Sequence, residues 1–347
     1  MPDKVIAKTD LRQWLASLAA DYDVVAPVGR EAGPAAWKDI NAAQDIDIGI
    51  SQMVMAAKEY LLPPYEPLFR YHGKKGEDEE RLESGIQHPT PDTRHPTLMI
   101  GLRLCDAQAI AVLDSVYLEG PFRDPYYAER REKLVLMAAV CDDPRWSCFC
   151  NSVGNLDEWA KGLDALITDL GDKIYVSPLT ETGKKLVQGT FFADPTEEES
   201  KRKSEVWTKL AAAPKRPFAG KDLSQLLSWE DPIWQEMARK CLGCGICSYL
   251  CPSCSCFDIQ DEVTGGIVER YRCRDTCQFS DFTQMGAGHN PRPEKTMRVR
   301  QRIMHKFKYQ MEQFQLVGCT GCGRCVENCP VNIDIRTILT RIVGEAV

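Results

Sequence analysis

Two stretches of the chain repeat one spacing of cysteines. Cys241, Cys244, Cys247 and Cys251 run C-x2-C-x2-C-x3-C into Pro252, and Cys319, Cys322, Cys325 and Cys329 repeat the run into Pro330. Three thiolates separated by two residues fit a tight loop around three corners of a 4Fe–4S cube. The fourth, carried off with its proline, reaches a neighbouring cube. The spacing therefore pairs Cys241, Cys244, Cys247 and Cys329 as one ligand set, and Cys319, Cys322, Cys325 and Cys251 as the other. Gly243, Gly245, Gly321 and Gly323 let the backbone come close to such a group. Zinc sites of four cysteines use paired C-x2-C units rather than triplets closed by C-P, so iron–sulfur is the reading.

Sixteen cysteines are present in all, too many for a reducing compartment to keep as a disulfide framework. Four more lie between Cys105 and Cys150. Cys105 and Cys141 each closely follow a strand-like run, Leu98 to Leu102 and Leu134 to Val140. If those strands are parallel neighbours, both thiols emerge at the same sheet end, where α/β folds build ligand sites. Cys148 and Cys150 then close the ring from the next loop. A third 4Fe–4S cluster on Cys105, Cys141, Cys148 and Cys150 is the expectation, with zinc and idle thiols as alternatives. Cys254, Cys256, Cys273 and Cys277 stay open between spare thiols beside a cluster and a further metal site of the form C-x-C…C-x3-C.

No side chain stands out as catalytic. There is no G-x-G-x-x-G after a strand and no G-x-x-x-x-G-K-[ST] phosphate loop, and no hydrolytic constellation. Thr264-Gly265-Gly266 reads as a turn. His88 and His95 read as ordinary loop residues; His289 is placed to hydrogen-bond near a cluster.

The elements that must position these ligands alternate. Thr9 to Ala20 carries Leu11, Trp14, Leu15 and Leu18 at helical spacing and leads into a short strand, Asp23 to Pro27. Further strand runs are Leu98 to Leu102, Leu134 to Val140 and Ile174 to Val176; helical runs are Ala107 to Leu118 and Leu156 to Leu170. This predicts an α/β or α+β domain over residues 1–215. Gly73 to Arg94, with its acidic run Glu77 to Glu80, and the charged Thr196 to Lys203, which precedes a helix through Trp207 and Leu210, read as surface loops or solvated faces, and Pro214 to Pro217 as a linker. In residues 225–347 a helix, Trp229 to Arg239, precedes the first cysteine run, and a longer one, Glu294 to Leu316, precedes the second. The form helix, motif, helix occurs twice, and much of the stretch between the motifs reads as helical. Arg298, Arg300, Arg302, Lys306 and Lys308 give the longer helix a basic face, read as solvated, although cations beside clusters also tune their potentials.

Composition sets outer limits. With 43 Lys plus Arg against 50 Asp plus Glu, the net charge is −7, which excludes a globally basic nucleic-acid binder. The longest apolar run, Leu134 to Val140, is far short of the roughly 20 residues of a membrane-spanning helix. The start of the chain has no apolar core of a signal peptide, so a cytoplasmic location is expected.

The long gap between the motifs resembles the alpha-helical ferredoxin fold of iron–sulfur redox subunits. More specifically, Leu102-Arg103-Leu104-Cys105-Asp106, Asp124-Pro125-Tyr126-Tyr127, Cys148-Phe149-Cys150, Cys251-Pro252-Ser253-Cys254-Ser255-Cys256 and the closing cysteine run resemble one family. It contains the anaerobic sulfite reductase A subunit and the sulfhydrogenase beta subunit, and the likeness extends from Tyr60-Leu61-Leu62-Pro63-Pro64 onward. Cys273 departs from the family pattern. The resemblance implies an electron-relay subunit with no bond-making site of its own. Its expected neighbours are an FAD- and NAD(P)-binding, ferredoxin-reductase-like subunit and a catalytic partner of the hydrogenase, sulfite reductase or heterodisulfide reductase kind. The rival reading is a self-contained iron–sulfur reductase whose first domain binds flavin or substrate.

Overall fold

The computed structural model describes residues 2–29, 36–40, 46, 48–49, 53–72 and 95–344. The described strands are β1 (Lys4–Ala7), β2 (Asp23–Val28), β3 (Ala36–Asp39), β4 (Tyr65–His72), β5 (Thr97–Arg103), β6 (Leu134–Ala139), β7 (Ala165–Asp169), β8 (Lys173–Pro178), β9 (Phe257–Thr264) and β10 (Ile267–Arg274). Seven of them form one sheet in the order β1-β8-β7-β6-β5-β2-β3. Its centre, β2, β5, β6 and β7, is parallel, and both edges are antiparallel. The uninterrupted apolar runs of β5 and β6 suit strands buried on both faces. Met99, Leu102, Leu136 and Ala138 pack under the helix Leu104–Tyr117. Leu98, Ile100, Val135 and Met137 face the helix Lys8–Leu18. The register of β5 against β6 shifts at Gly101, whose φ of +84° suits glycine. This bulge sits just ahead of Cys105 and sets the direction in which the chain leaves the sheet.

Two expectations change here. The run Leu156 to Leu170 is a helix only over Leu156–Ala160; the rest supplies β7. Ala165 and Ile167 are fully buried against β6, and tertiary pairing overrides local helical spacing. Thr196 to Lys203 is not a loop but the start of the helix Glu197–Ala211. Thr196 Oγ1 accepts from Glu199 N (3.2 Å), and Glu199 Oε2 accepts from Thr196 N (2.8 Å), a complete capping box. Gly73 to Arg94, with His88, lies outside the described residues.

The second half gathers the helices Ile233–Lys240, Lys295–Met304 and Ile335–Ile342 around Trp234, Ile303, Phe307 and Ile338. The predicted helix Glu294 to Leu316 is interrupted by a π-helical turn at His305–Tyr309 before resuming at Gln310–Phe314. The stretch between the motifs departs from the helical expectation: β9 and β10 form a hairpin. β10 also pairs with β4, about two hundred residues earlier, so a strand of the first half completes a sheet of the second. A buried charge network fastens this joint. Arg272, 5% exposed, donates to Glu66 Oε2 (2.8 Å) and Asp124 Oδ2 (2.6 Å), and Arg274 donates to Glu59 (2.6 Å).

Candidate iron–sulfur site

The two cysteine runs fold alike. The helix Ile233–Lys240 hands the chain to Cys241, whose N–H closes its last turn on Met237 O (3.1 Å). Gly243 and Gly245 take φ of +74° and +75°, and Gly321 and Gly323 take +61° and +77°. The N–H of Gly243 donates to Cys241 Sγ (3.3 Å) and that of Gly321 to Cys319 Sγ (3.5 Å). Backbone N–H groups thus aim at sulfur in both loops, as they would around a thiolate-ligated cluster.

Cys241, Cys244, Cys247 and Cys329 line one cavity, with aliphatic walls from Val299, Ile303, Ile335 and Ile338; Cys325 also reaches it. Cys319, Cys322, Cys325 and Cys251 gather beside it, close enough for their charges to interact. Cys105, Cys141, Cys148 and Cys150 meet at the end of the parallel strands, for β5 and β6 are indeed neighbours. This third group abuts the second. Cys148 Sγ donates to Cys322 O (3.7 Å), and Phe149 N donates to Gly321 O (2.8 Å). A Cβ on Gly321 would lie 2.5 Å from Cys150 N, so the two loops leave no room for a larger residue. Burial pushes the thiols of Cys148, Cys150, Cys319 and Cys322 up to about 12, so ligation there must displace protons.

Cations surround these sulfurs, and here the sequence reading of a solvated basic face is corrected. Arg298 (8% exposed), Arg302 (8%) and Lys306 (4%) are buried. Lys306 Nζ donates to Cys251 Sγ (3.1 Å), Ser253 Oγ (3.2 Å) and Gly318 O (2.9 Å). Arg302 donates to Cys247 O (3.2 Å). Among the described residues neither has a carboxylate partner. Burial pulls the Lys306 ammonium down; the sulfurs of Cys251, Cys254 and Cys319 more than reverse this and hold it well above the usual lysine range. Buried cations require nearby negative charge, and cysteine sulfur is what these two face. A negatively charged, thiolate-held cluster fits the chemistry of the donor set.

Comparison with known proteins identifies this half. The family described as the 4Fe–4S dicluster domain matches residues 240–333. The chain carries a 4Fe–4S dicluster domain. Over 326 residues it is also 29% identical to sulfhydrogenase 2 subunit beta of Pyrococcus furiosus, covering 91% of this chain and 92% of that protein. The family resemblance read from the motifs is thereby borne out over nearly the whole length. No solved structure matches the chain.

The dicluster domain is locked to the first half by residues that sequence reading passed over. Arg324, fully buried, follows Gly323 and makes a two-pronged ion pair with Asp106 (2.7 and 2.9 Å), while its Nε donates to Met53 O (2.7 Å). Asp106 neighbours Cys105, and Arg324 neighbours Cys325, so the pair ties two ligand loops together. His289, by contrast, is exposed. Among the described residues no helix is long and apolar enough to cross a membrane.

Proposed function

We propose that the chain is a relay subunit that carries single electrons between two partner subunits. One partner binds FAD and NAD(P) in the manner of a ferredoxin reductase; the other is a catalytic redox subunit, as in a hydrogenase, a sulfite reductase or a heterodisulfide reductase. A 4Fe–4S cube supplies one-electron transfer when bound. The observation that carries the reading is the continuity of the three cysteine groups. Cys148 touches the backbone of Cys322, and Cys325 lies on the wall of the cavity formed by Cys241, Cys244, Cys247 and Cys329. Both ends of the row reach the surface. Cys244 and its neighbour Leu242 (65%) are exposed at one end. At the other, Cys148 and Cys150 line a groove with exposed Trp146 and Lys215 and half-buried Arg216. The relative named as a sulfhydrogenase subunit supports the presence of partner subunits.

The protein's own groups hold and tune. The twelve cysteines provide three ligand sets: Cys241, Cys244, Cys247 and Cys329; Cys319, Cys322, Cys325 and Cys251; Cys105, Cys141, Cys148 and Cys150. Lys306 and Arg302 offset negative charge and so favour the reduced state. Lys306→Met is expected to lower the reduction potential of the cluster bound through Cys251 on the order of 100 mV, from one charge lost at short range. Anaerobic potentiometric titration followed by EPR measures this; an unmoved potential would show that Lys306 only packs.

The cross-pairing has its own test. Cys329→Ser should damage the cluster held by Cys241, Cys244 and Cys247 and spare the one held by the other three cysteines of its own run. Spectra that lose the latter instead would overturn the assignment. For the relay itself, co-purification from the native host under anaerobic conditions should recover a flavin-binding and a catalytic subunit. Flavin retained by the isolated chain would favour the self-contained reductase.

A further inference from the structure

Four cysteines lie outside the three ligand groups, and two of them are paired. β9 and β10 bring the feet of their hairpin together by setting Phe257 opposite Arg274. Just beyond, Asp275 N donates to Cys256 O (3.1 Å). That contact brings Cys256 and Cys277 together at the foot of the hairpin, close enough for each thiol to shift the other's titration. Cys277 is held between fully buried Thr276 and Gln278 (4% exposed), and its Sγ accepts from Gln278 Nε2 (3.5 Å) and touches Ser248 Oγ (3.9 Å). Ser248 directly follows Cys247, so the pair adjoins the ligand set of the first run. Both residues are half-buried.

Among the described residues no three His, Cys, Asp or Glu side chains close on a point that one metal ion would occupy. Cys256 and Cys277 face each other beside the ligand set of the first cysteine run. Cys254 lies beside Cys251 and Lys306, with Cys256 also within range of its charge. The hydrogen bond from Cys256 draws the Cys277 thiol down to about 6, which makes it the better nucleophile of the two.

We propose that Cys256 and Cys277 are a redox-active dithiol, a two-electron store that exchanges electrons with the neighbouring clusters. This rests on the relay reading above, since the clusters are its electron acceptors. On oxidation the two sulfurs join in one S–S bond and two protons leave to water. The two electrons would pass singly to oxidised clusters held through Cys247 and Cys325, one to each. In reverse, two electrons and two protons cleave the bond. The device converts between the single electrons of iron–sulfur chemistry and the paired electrons of hydride or sulfur chemistry.

The test uses the full chain with its clusters, purified anaerobically and poised with mediator dyes at oxidising or reducing potentials. Denaturing alkylation, digestion and mass spectrometry should find a peptide linked through Cys256 and Cys277 in the oxidised sample and none in the reduced one. Reductive titration should consume about two more electrons per chain in the wild type than in Cys256→Ser or Cys277→Ser. Iron content and cluster EPR should be equal in all three. Full alkylation of both thiols in the oxidised protein overturns the proposal. So does an equal electron count, and so does a loss of about four irons in either variant, which would make these cysteines ligands. Iron content and EPR of the wild type report separately on the relay reading, and the peptide measurement does not depend on the variants folding.

Discussion

Replacing Arg324 by leucine is expected to cost the folded chain about 3–5 kcal/mol, the range for removing one partner of a buried ion pair. Arg324 and Asp106 side chains are each 1% exposed, and their two short bonds are the means by which each tolerates burial. The single substitution leaves the Asp106 carboxylate without its counter-charge beside Cys105, and also frees Met53 O. Replacing both members by apolar residues removes the stranded charge, so Arg324→Leu with Asp106→Leu should recover much of the loss. Anaerobic urea unfolding of the wild type, the two single variants and the double variant measures the coupling. A single-variant cost below about 1 kcal/mol would mean that water reaches Asp106 and that the pair does not fasten the halves.

The second large effect concerns composition rather than stability. Cys148→Ser combined with Cys150→Ser should remove about four of about twelve irons per chain and leave the spectra of the other two clusters in place. The reasoning is geometric. Both residues sit on one loop, facing Cys141 and Cys105 across the end of the parallel strands. Gly321 packs against the backbone of Cys150, so the loop that carries both has little room to shift. Iron quantification on anaerobically purified protein decides it. Full iron content in the double variant would make these four structural thiols and shorten the relay to two clusters.

What could be read in advance follows from how local each signal was. The apolar runs of β5 and β6 were long and unbroken, and they placed Cys105 and Cys141 side by side once the strands paired. The helix ahead of Cys241 was equally plain from Ile233, Trp234 and Met237. The hairpin β9–β10 was missed although Gly265-Gly266, between runs of alternating polarity, is a hairpin signature. Thr196 with Glu199 was a readable capping box taken for a loop. The burial of Arg302 and Lys306 was not legible at all. Their spacing puts them on one helix face, but only distant Cys247 and Cys251 decide that the face is interior. Arg324 escaped for the same reason: its partner lies 218 residues away.

The meeting of the Cys148–Cys150 loop with Gly321 bears on how the protein is built. Cys105, Cys251, Cys319 and Cys322 are each less than a tenth exposed once both halves are joined. The joint draws together segments from opposite ends of the chain, β4 with β10 and Asp106 with Arg324, and such distant pairings form late. Iron and sulfide are therefore expected to reach these four cysteines before the halves close, whereas Cys244, Cys148 and Cys150 stay open to the surface afterwards. A chain that closes empty would hold Cys105, Cys319 and Cys322 as thiols behind a finished interface, and loading them would need that interface to open.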